Sequence, residues 1–174
     1  MQLRNSTVLA VTLLTGIGIG CAACSVSSPE EMTLTSPAFG EGESVPTRFS
    51  CDGDGVSPPL AWDAVPDGTA AFALLVTDPD AGGFVHWVLS DIPGDVGELP
   101  EGEGDTIGTP GRSSGGGTGW TGPCPPSGEH RYEFRLYALS EPLGLSEAAS
   151  ADDLRAAVSD LAVGQGMLTA VYAR

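Results

Sequence analysis

The stretch that decides the fold is Thr77-Asp78-Pro79-Asp80-Ala81, followed after two glycines by Phe84-Val85-His86-Trp87-Val88-Leu89. A later stretch has the same character: Gly122-Pro123-Cys124-Pro125-Pro126-Ser127-Gly128-Glu129-His130-Arg131-Tyr132. These segments contain the two histidines of the chain, and each histidine lies where strand-like sequence meets a turn rich in Pro, Gly or Asp. This placement predicts one small polar pocket that contains both imidazoles.

Apolar runs beside these motifs predict strands. Residues 70–77 form a continuous apolar run, which is typical of a buried strand, whereas residues 131–139 alternate charged and apolar side chains, as in a half-exposed strand. Further strands are predicted over residues 32–36, 45–49, 60–62, 84–92 and 167–172, with a long loop over 93–122.

One helix is predicted over residues 150–163. Ser150 is the candidate N-cap with Asp153 three residues later, and Gly164 is the candidate stop signal.

Composition favours a folded, β-rich chain of one domain. The 174 residues include 25 Gly and 14 Pro, which predict many turns. The net charge is −16 and all seven basic residues are Arg. A surface with this much negative charge repels nucleic-acid phosphates and anionic lipid headgroups. We therefore expect no nucleic-acid partner and no broad electrostatic binding to membranes.

The N-terminus predicts export. Residues 1–24 read as a signal segment, because the apolar run over 8–20 is too short to span a bilayer and is typical of a signal h-region. The run ends at Gly20-Cys21-Ala22-Ala23-Cys24, which is similar to a bacterial lipobox. Cys21 is the predicted lipidated residue, with Cys24 and a cleaved, secreted protein as alternatives. Residues 25–31 are the predicted tether and residues 32–174 the predicted domain.

Two further cysteines, Cys51 and Cys124, lie in turn-rich segments beside the predicted pocket. In an oxidising compartment such a pair can form a disulfide. Because sequence does not give their separation in space, pairing and two free thiols both remain open. Neither cysteine has a basic neighbour in sequence that would lower its pKa, so a nucleophilic role is not expected.

The predicted pocket suits an anion. Histidine donates hydrogen bonds and gains charge on protonation, tyrosine adds a hydroxyl, and glycine-rich turns let backbone N–H groups approach a ligand. A carboxylate can orient an imidazole or bind an amine of the ligand. The predicted ligand-binding residues are Asp78, Asp80, His86, Trp120, Gly122, Pro123, His130 and Tyr132.

Taken together, these motifs resemble the phosphatidylethanolamine-binding protein family, in its bacterial and archaeal Raf-kinase-inhibitor-like branch. The matching stretches begin with Phe49-Ser50-Cys51-Asp52-Gly53 and Val56-Ser57-Pro58-Pro59-Leu60-Ala61-Trp62, continue with the segments quoted above, and extend over about residues 32–174. The resemblance implies a mainly β fold, a two-sheet antiparallel β-sandwich with a C-terminal helix.

The resemblance also implies a surface pocket for phosphate-like groups, including phospholipid headgroups and phosphorylated small molecules. Asp78, His86, His130 and Tyr132 match the family positions that line this pocket. The chain departs from the family in two places: Trp120 stands where Tyr is usual before Thr-Gly-Pro, and residues 111–115 lack the Asn-Asp pair that relatives carry after Gly-Arg.

Three functions compete at this point. The first is a binding module for a small anion, with no catalysis, cofactor or metal. The second is a protein-binding inhibitor of a protease or kinase that presents the Pro-rich loop. The third is a metal-dependent hydrolase, since His86, His130 and Asp78 have suitable ligand types, although their spacing lacks a short His-x₃-His pattern.

Overall fold

A computed structural model of the chain describes residues 28–174. The predicted signal segment, Cys21, Cys24 and the start of the tether lie outside the described residues. The strands are β1 (Glu30–Glu31), β2 (Thr33–Thr35), β3 (Leu60–Asp63), β4 (Ala71–Asp78), β5 (Phe84–Pro93), β6 (Glu98–Leu99), β7 (Thr109–Pro110), β8 (Glu129–Leu139) and β9 (Ala162–Ala173). The α-helices are α1 (Gly104–Ile107) and α2 (Ala151–Leu161).

The strands form two sheets, which confirms the predicted sandwich. The large sheet has the order β1-β9-β8-β4-β5-β7, and the small sheet has the order β2-β3-β6. All pairings between these strands are antiparallel except that of β1 with β9, in which Glu30 lies opposite Gly164. The described strands therefore begin at Glu30, inside the segment predicted as a tether.

Strand β4 explains why its sequence is apolar throughout. Phe72 and Val76 face the small sheet and pack in the main core with Trp62 and Phe134. Ala73 and Leu75 face the opposite side and pack in a second cluster under α2. Both faces of β4 are therefore buried, which is the condition under which a strand loses its polar alternation.

Helix α2 covers the outer face of the large sheet. The predicted N-cap at Ser150 is confirmed, and it forms a capping box: the Ser150 hydroxyl accepts from the Asp153 N–H, and the Asp153 carboxylate accepts from the Ser150 N–H. The predicted end of the helix is wrong. Strand β9 starts at Ala162, directly after the helix, because its backbone pairs with Leu139 of β8.

Two other predictions change. The strand predicted over 45–49 is wrong, because Thr47–Phe49 forms a 3₁₀ turn and the backbone bonds to the edge of β9 come from the preceding segment, Gly42 to Val45. The long loop predicted over 93–122 contains β6, α1 and β7. Within residues 28–174, no helix combines the length and apolarity that a bilayer crossing would need.

Candidate functional site

A cavity of about 250 Å³ opens between the ends of three strands and the loop that precedes β8. Adjacent strands β5, β4 and β8 bring their ends together here, so segments that are distant in sequence meet. The lining residues are Asp78, Ala81, Phe84, His86, Thr121, Gly122, Cys124, Pro125, Pro126, His130 and Tyr132. Five of the eight predicted ligand-binding residues belong to this lining: Asp78, His86, Gly122, His130 and Tyr132.

His86 lies on β5 and is 4% exposed. Its Nδ1 lies 2.6 Å from the Thr121 carbonyl oxygen. Because a carbonyl only accepts, this contact assigns the proton to Nδ1 and leaves Nε2 for a ligand. Burial lowers the pKa of His86 below its usual value, while the bond to Thr121 and the charge of Asp78 oppose that shift. Neutral His86 therefore presents a lone pair at Nε2.

His130 is the second residue of β8 and is oriented by a carboxylate. Its Nδ1 donates to Oδ2 of Asp78 at 2.7 Å, and Oδ1 of Asp78 accepts from the Ala81 N–H at 2.9 Å. Asp78 is 3% exposed, so its two oxygens are committed inside the protein. The arrangement leaves Nε2 of His130 as the ring nitrogen available to a ligand.

Tyr132 lies two residues after His130, on the same face of β8. Its ring meets the His86 ring edge-on, with centroids 5.1 Å apart. Burial and the charges of Asp78 and Asp80 raise the pKa of Tyr132, so its hydroxyl stays protonated. It can therefore donate a hydrogen bond at any physiological pH.

Asp80 does not line the cavity. It turns outward and accepts from Arg131 three times: from the backbone N–H at 2.9 Å, from Nε at 3.0 Å and from Nη2 at 2.8 Å. The Arg131 guanidinium lowers the pKa of Asp80 to about 2. The backbone pairing of β4 with β8 ends at Thr77. Beyond that point, the ion pair of Asp80 with Arg131 connects the turn that follows Asp78 to the start of β8.

Trp120 and Pro123 also lie outside the lining. The Trp120 indole packs beside His86, with ring centroids 6.4 Å apart, and donates from Nε1 to the Phe49 carbonyl oxygen at 3.1 Å. The Pro123 carbonyl accepts from the Cys51 N–H at 3.1 Å. Both residues therefore hold the loop that precedes β8 against the segment around Phe49 and Cys51, without lining the cavity.

Gly122 is required by close packing. A Cβ atom placed there would lie 2.7 Å from the Phe49 carbonyl oxygen. The loop thus approaches the 3₁₀ turn more closely than any side chain would allow. The backbone of this segment forms part of the cavity, as the sequence predicts.

The structure joins Cys51 and Cys124 in a disulfide with a Cα–Cα distance of 5.5 Å. Cys124 belongs to the cavity lining, and Arg174 Nη1 lies 3.5 Å from its sulfur. The bond ties the Pro-rich loop to the segment after the 3₁₀ turn. It is therefore part of the framework of the cavity.

Sequence reasoning missed the apolar part of the lining, which consists of Ala81, Phe84, Pro125 and Pro126. One signal was present: Phe84 and His86 are two residues apart on β5, so both side chains lie on the same face. The Phe84 and His86 rings indeed lie 4.8 Å apart. Proline side chains in an irregular loop gave no comparable signal.

The arrangement can bind an oxyanion. The hydroxyl of Tyr132 is a donor, and Nε2 of His86 or of His130 becomes a donor once that ring carries a second proton. Within residues 28–174, no group of three His, Cys, Asp or Glu side chains is placed to hold a metal ion.

Comparisons with known proteins agree with this architecture. The family model described as phosphatidylethanolamine-binding protein matches residues 35–173. A UPF0098 protein of Methanothermobacter thermautotrophicus is 42% identical over 82% of this chain and 99% of its own length. A protein of Mycobacterium tuberculosis named as a candidate lipoprotein, LppC, is 40% identical over 82% of this chain and 73% of its own length.

Solved structures show the same fold. The crystal structure of a candidate phosphatidylethanolamine-binding protein homologue from Chlamydia trachomatis has a TM-score of 0.78 and 33% identity, and covers 83% of this chain and 99% of that chain. E. coli YbcL, described as a member of the mammalian family, has a TM-score of 0.77 and 31% identity, and covers 82% of this chain and 98% of that chain.

Proposed function

The chain belongs to the phosphatidylethanolamine-binding protein family, and from that premise we propose that its pocket reversibly binds a small phosphate-like anion. The observation that carries the proposal is the convergence of both histidines of the chain on one cavity, each with Nδ1 engaged by the protein. Fixed imidazoles keep their Nε2 atoms directed without a loss of rotamer entropy on binding.

The proposed binding mode uses the Tyr132 hydroxyl and the two imidazoles in different ways. The Tyr132 hydroxyl donates to a phosphoryl oxygen. Nε2 of His86 and Nε2 of His130 each accept from a protonated phosphoryl oxygen, or donate after the ring takes up a second proton. Hydrogen bonds to charged groups contribute about 1.5–3 kcal/mol each, which is enough for millimolar to micromolar affinity from three contacts.

The proposed activity is binding without covalent chemistry. Cys124, the one cysteine of the lining, is held in a disulfide. The carboxylate of Asp78 accepts from His130 and Ala81 and is almost fully buried. Neither group is therefore placed as a free nucleophile or as a base open to a bound ligand.

We further propose that the protein is exported and anchored to a membrane by a lipid on Cys21. The signal-like N-terminal sequence supports this proposal, as does the name of the M. tuberculosis relative, which describes that protein as a candidate lipoprotein. Labelling cells with a fatty-acid analogue should mark the wild type and a Cys24→Ala variant. Label retained in Cys21→Ala would contradict the assignment to Cys21.

Calorimetric titration of the full chain with phosphate tests the binding proposal. We expect saturable binding by the wild type and a loss of about tenfold or more in His130→Ala, because one charge-assisted hydrogen bond to the ligand disappears and Oδ2 of Asp78 loses its donor. Met167→Ala, which alters an exposed side chain remote from the cavity, is the control. Equal affinity in all three proteins would place phosphate binding elsewhere.

A further inference from the structure

Part of the cavity lining is apolar. Phe84, Pro125 and Pro126 line the cavity together with the two imidazoles. A group the size of inorganic phosphate that contacts His86 and His130 leaves part of a cavity of about 250 Å³ unfilled. A ligand that also carries an apolar group could place that group against these apolar side chains, and burial of the group would add to the binding free energy.

The lining has no carboxylate free to receive a cation. Asp78 is its one acidic residue, and its two oxygens accept from His130 and from the Ala81 N–H. Asp80 turns away and gives both oxygens to Arg131. An ammonium group entering the cavity would lose water without gaining an anionic partner, which is costly.

We propose that the pocket selects phosphate monoesters with a short apolar substituent and discriminates against the zwitterionic phosphoethanolamine headgroup. This inference rests on the proposed anion-binding function. The phosphoryl group lies at His86, His130 and Tyr132. The substituent lies against Phe84 and the two prolines. Phe84 is therefore a specificity-determining residue.

Propyl phosphate and phosphoethanolamine form a matched pair of probes, because they differ mainly in ending in a methyl group or an ammonium group. Calorimetry of the full chain at pH 7.5, where both phosphoryl groups are mostly dianionic, compares them directly. We expect propyl phosphate to bind at least about fivefold more tightly, since the methyl group is buried and the ammonium group is not compensated. Inorganic phosphate is the third ligand.

The outcomes separate this inference from the function on which it rests. Binding of all three ligands with phosphoethanolamine equal to or tighter than propyl phosphate would overturn the selectivity and leave the anion pocket standing. A failure of all three ligands to bind would remove the anion pocket and the selectivity together. Tighter binding of propyl phosphate supports both.

Two variants locate the selectivity. Phe84→Ala should lower the affinity ratio of propyl phosphate to phosphoethanolamine, and Phe84→Leu should retain most of it. Pro126→Asp, at an exposed lining position, adds an unpaired carboxylate and should shift the ratio towards phosphoethanolamine. A ratio that stays unchanged in Phe84→Ala and Pro126→Asp would show that the ester group lies elsewhere and would overturn the proposal.

Discussion

The cavity has two walls that differ in how they are held. The strand wall consists of Asp78, His86, His130 and Tyr132, which project from the ends of three hydrogen-bonded strands. The loop wall consists of residues 121–126, which lie outside the strands and are held by a disulfide, by backbone bonds and by the packing of Trp120. The polar side chains come mainly from the strand wall, and much of the shape comes from the loop wall.

The two walls encode different properties of the site. The strand wall depends on neighbours in a regular ladder, so local patterns reveal it. The loop wall depends on contacts between segments far apart in sequence, such as Cys51 with Cys124. Perturbations of the loop wall should therefore cost mainly stability, and perturbations of the strand wall should cost mainly binding.

Removing the disulfide should have the largest effect. The double variant Cys51→Ser/Cys124→Ser frees a loop with a sequence separation of 73 residues. The chain-entropy relation predicts a loss of about 4 kcal/mol in the free energy of unfolding. Denaturant unfolding of the variant and of the reduced wild type should give the same lower midpoint. A midpoint equal to that of the oxidised wild type would show that the bond does not hold the loop wall.

Replacing Asp105 should have the next largest effect. Its carboxylate accepts from Trp87 Nε1 at 2.7 Å and from the Trp120 N–H at 3.2 Å. Asp105→Ala leaves the fully buried Trp87 indole without its acceptor, which should cost about 1–3 kcal/mol of unfolding free energy. Asp105→Asn keeps an acceptor oxygen and should lose less. If the alanine variant and the wild type unfold at the same denaturant concentration, Asp105 does not stabilise the fold through Trp87 and Trp120.

The strand wall predicts a pH dependence of anion binding through His86. Asp78, His130 and Tyr132 face this imidazole, and burial lowers its pKa below 6.5. Sulfate carries no proton of its own near neutral pH, so its binding should require protonated His86. Its affinity should therefore rise by up to about tenfold per unit as pH falls from 7.5 towards that lowered pKa.

Calorimetry with sulfate from pH 7.5 to 5.5 measures this dependence. His86→Gln, which does not titrate, serves as the control and should show a flatter profile. A wild-type affinity that is constant across this range would remove imidazolium formation at His86 from the binding mode.

The smallest effect is expected for Asp80→Asn, which weakens the exposed pair with Arg131. Because the pKa of Asp80 falls from 3.8 to about 2 on folding, its stabilising contribution is complete above pH 3.8 and disappears as pH falls through about 2. The Tm of the variant should lie slightly below that of the wild type at pH 7 and converge with it near pH 2. Phosphate affinity should fall less than about fivefold. A Tm difference that persists unchanged at pH 2 would contradict this role.

The main strands and the C-terminal helix could be predicted from the sequence because the patterns that indicate them are local. The apolar run that becomes β4 and the alternation in β8 arise from burial on two faces and on one face, respectively. The Ser150 capping box likewise uses residues three apart. The start of β9 was missed because pairing with Leu139 outweighs the helix-stop signal of Gly164.

The site was predicted in part for the same reason. Asp78, His86, His130 and Tyr132 follow from the motifs at strand ends. The motif also predicts Asp80 in the pocket, but Arg131 holds its side chain outside, and only the three-dimensional pairing reveals this. The prolines of the loop wall carry no chemical signal in sequence, because their role is to shape the cavity.

The most direct test of the central claim uses the fact that the chain has two histidines and that both line the cavity. In an imidazole ¹⁵N NMR spectrum of the untagged full chain, each signal reports on the strand wall alone. Titration with phosphate should move the Nε2 signals of His86 and His130 together, saturably and with one dissociation constant. Imidazole signals that stay unmoved at saturating phosphate would contradict the assignment of this cavity as the anion site.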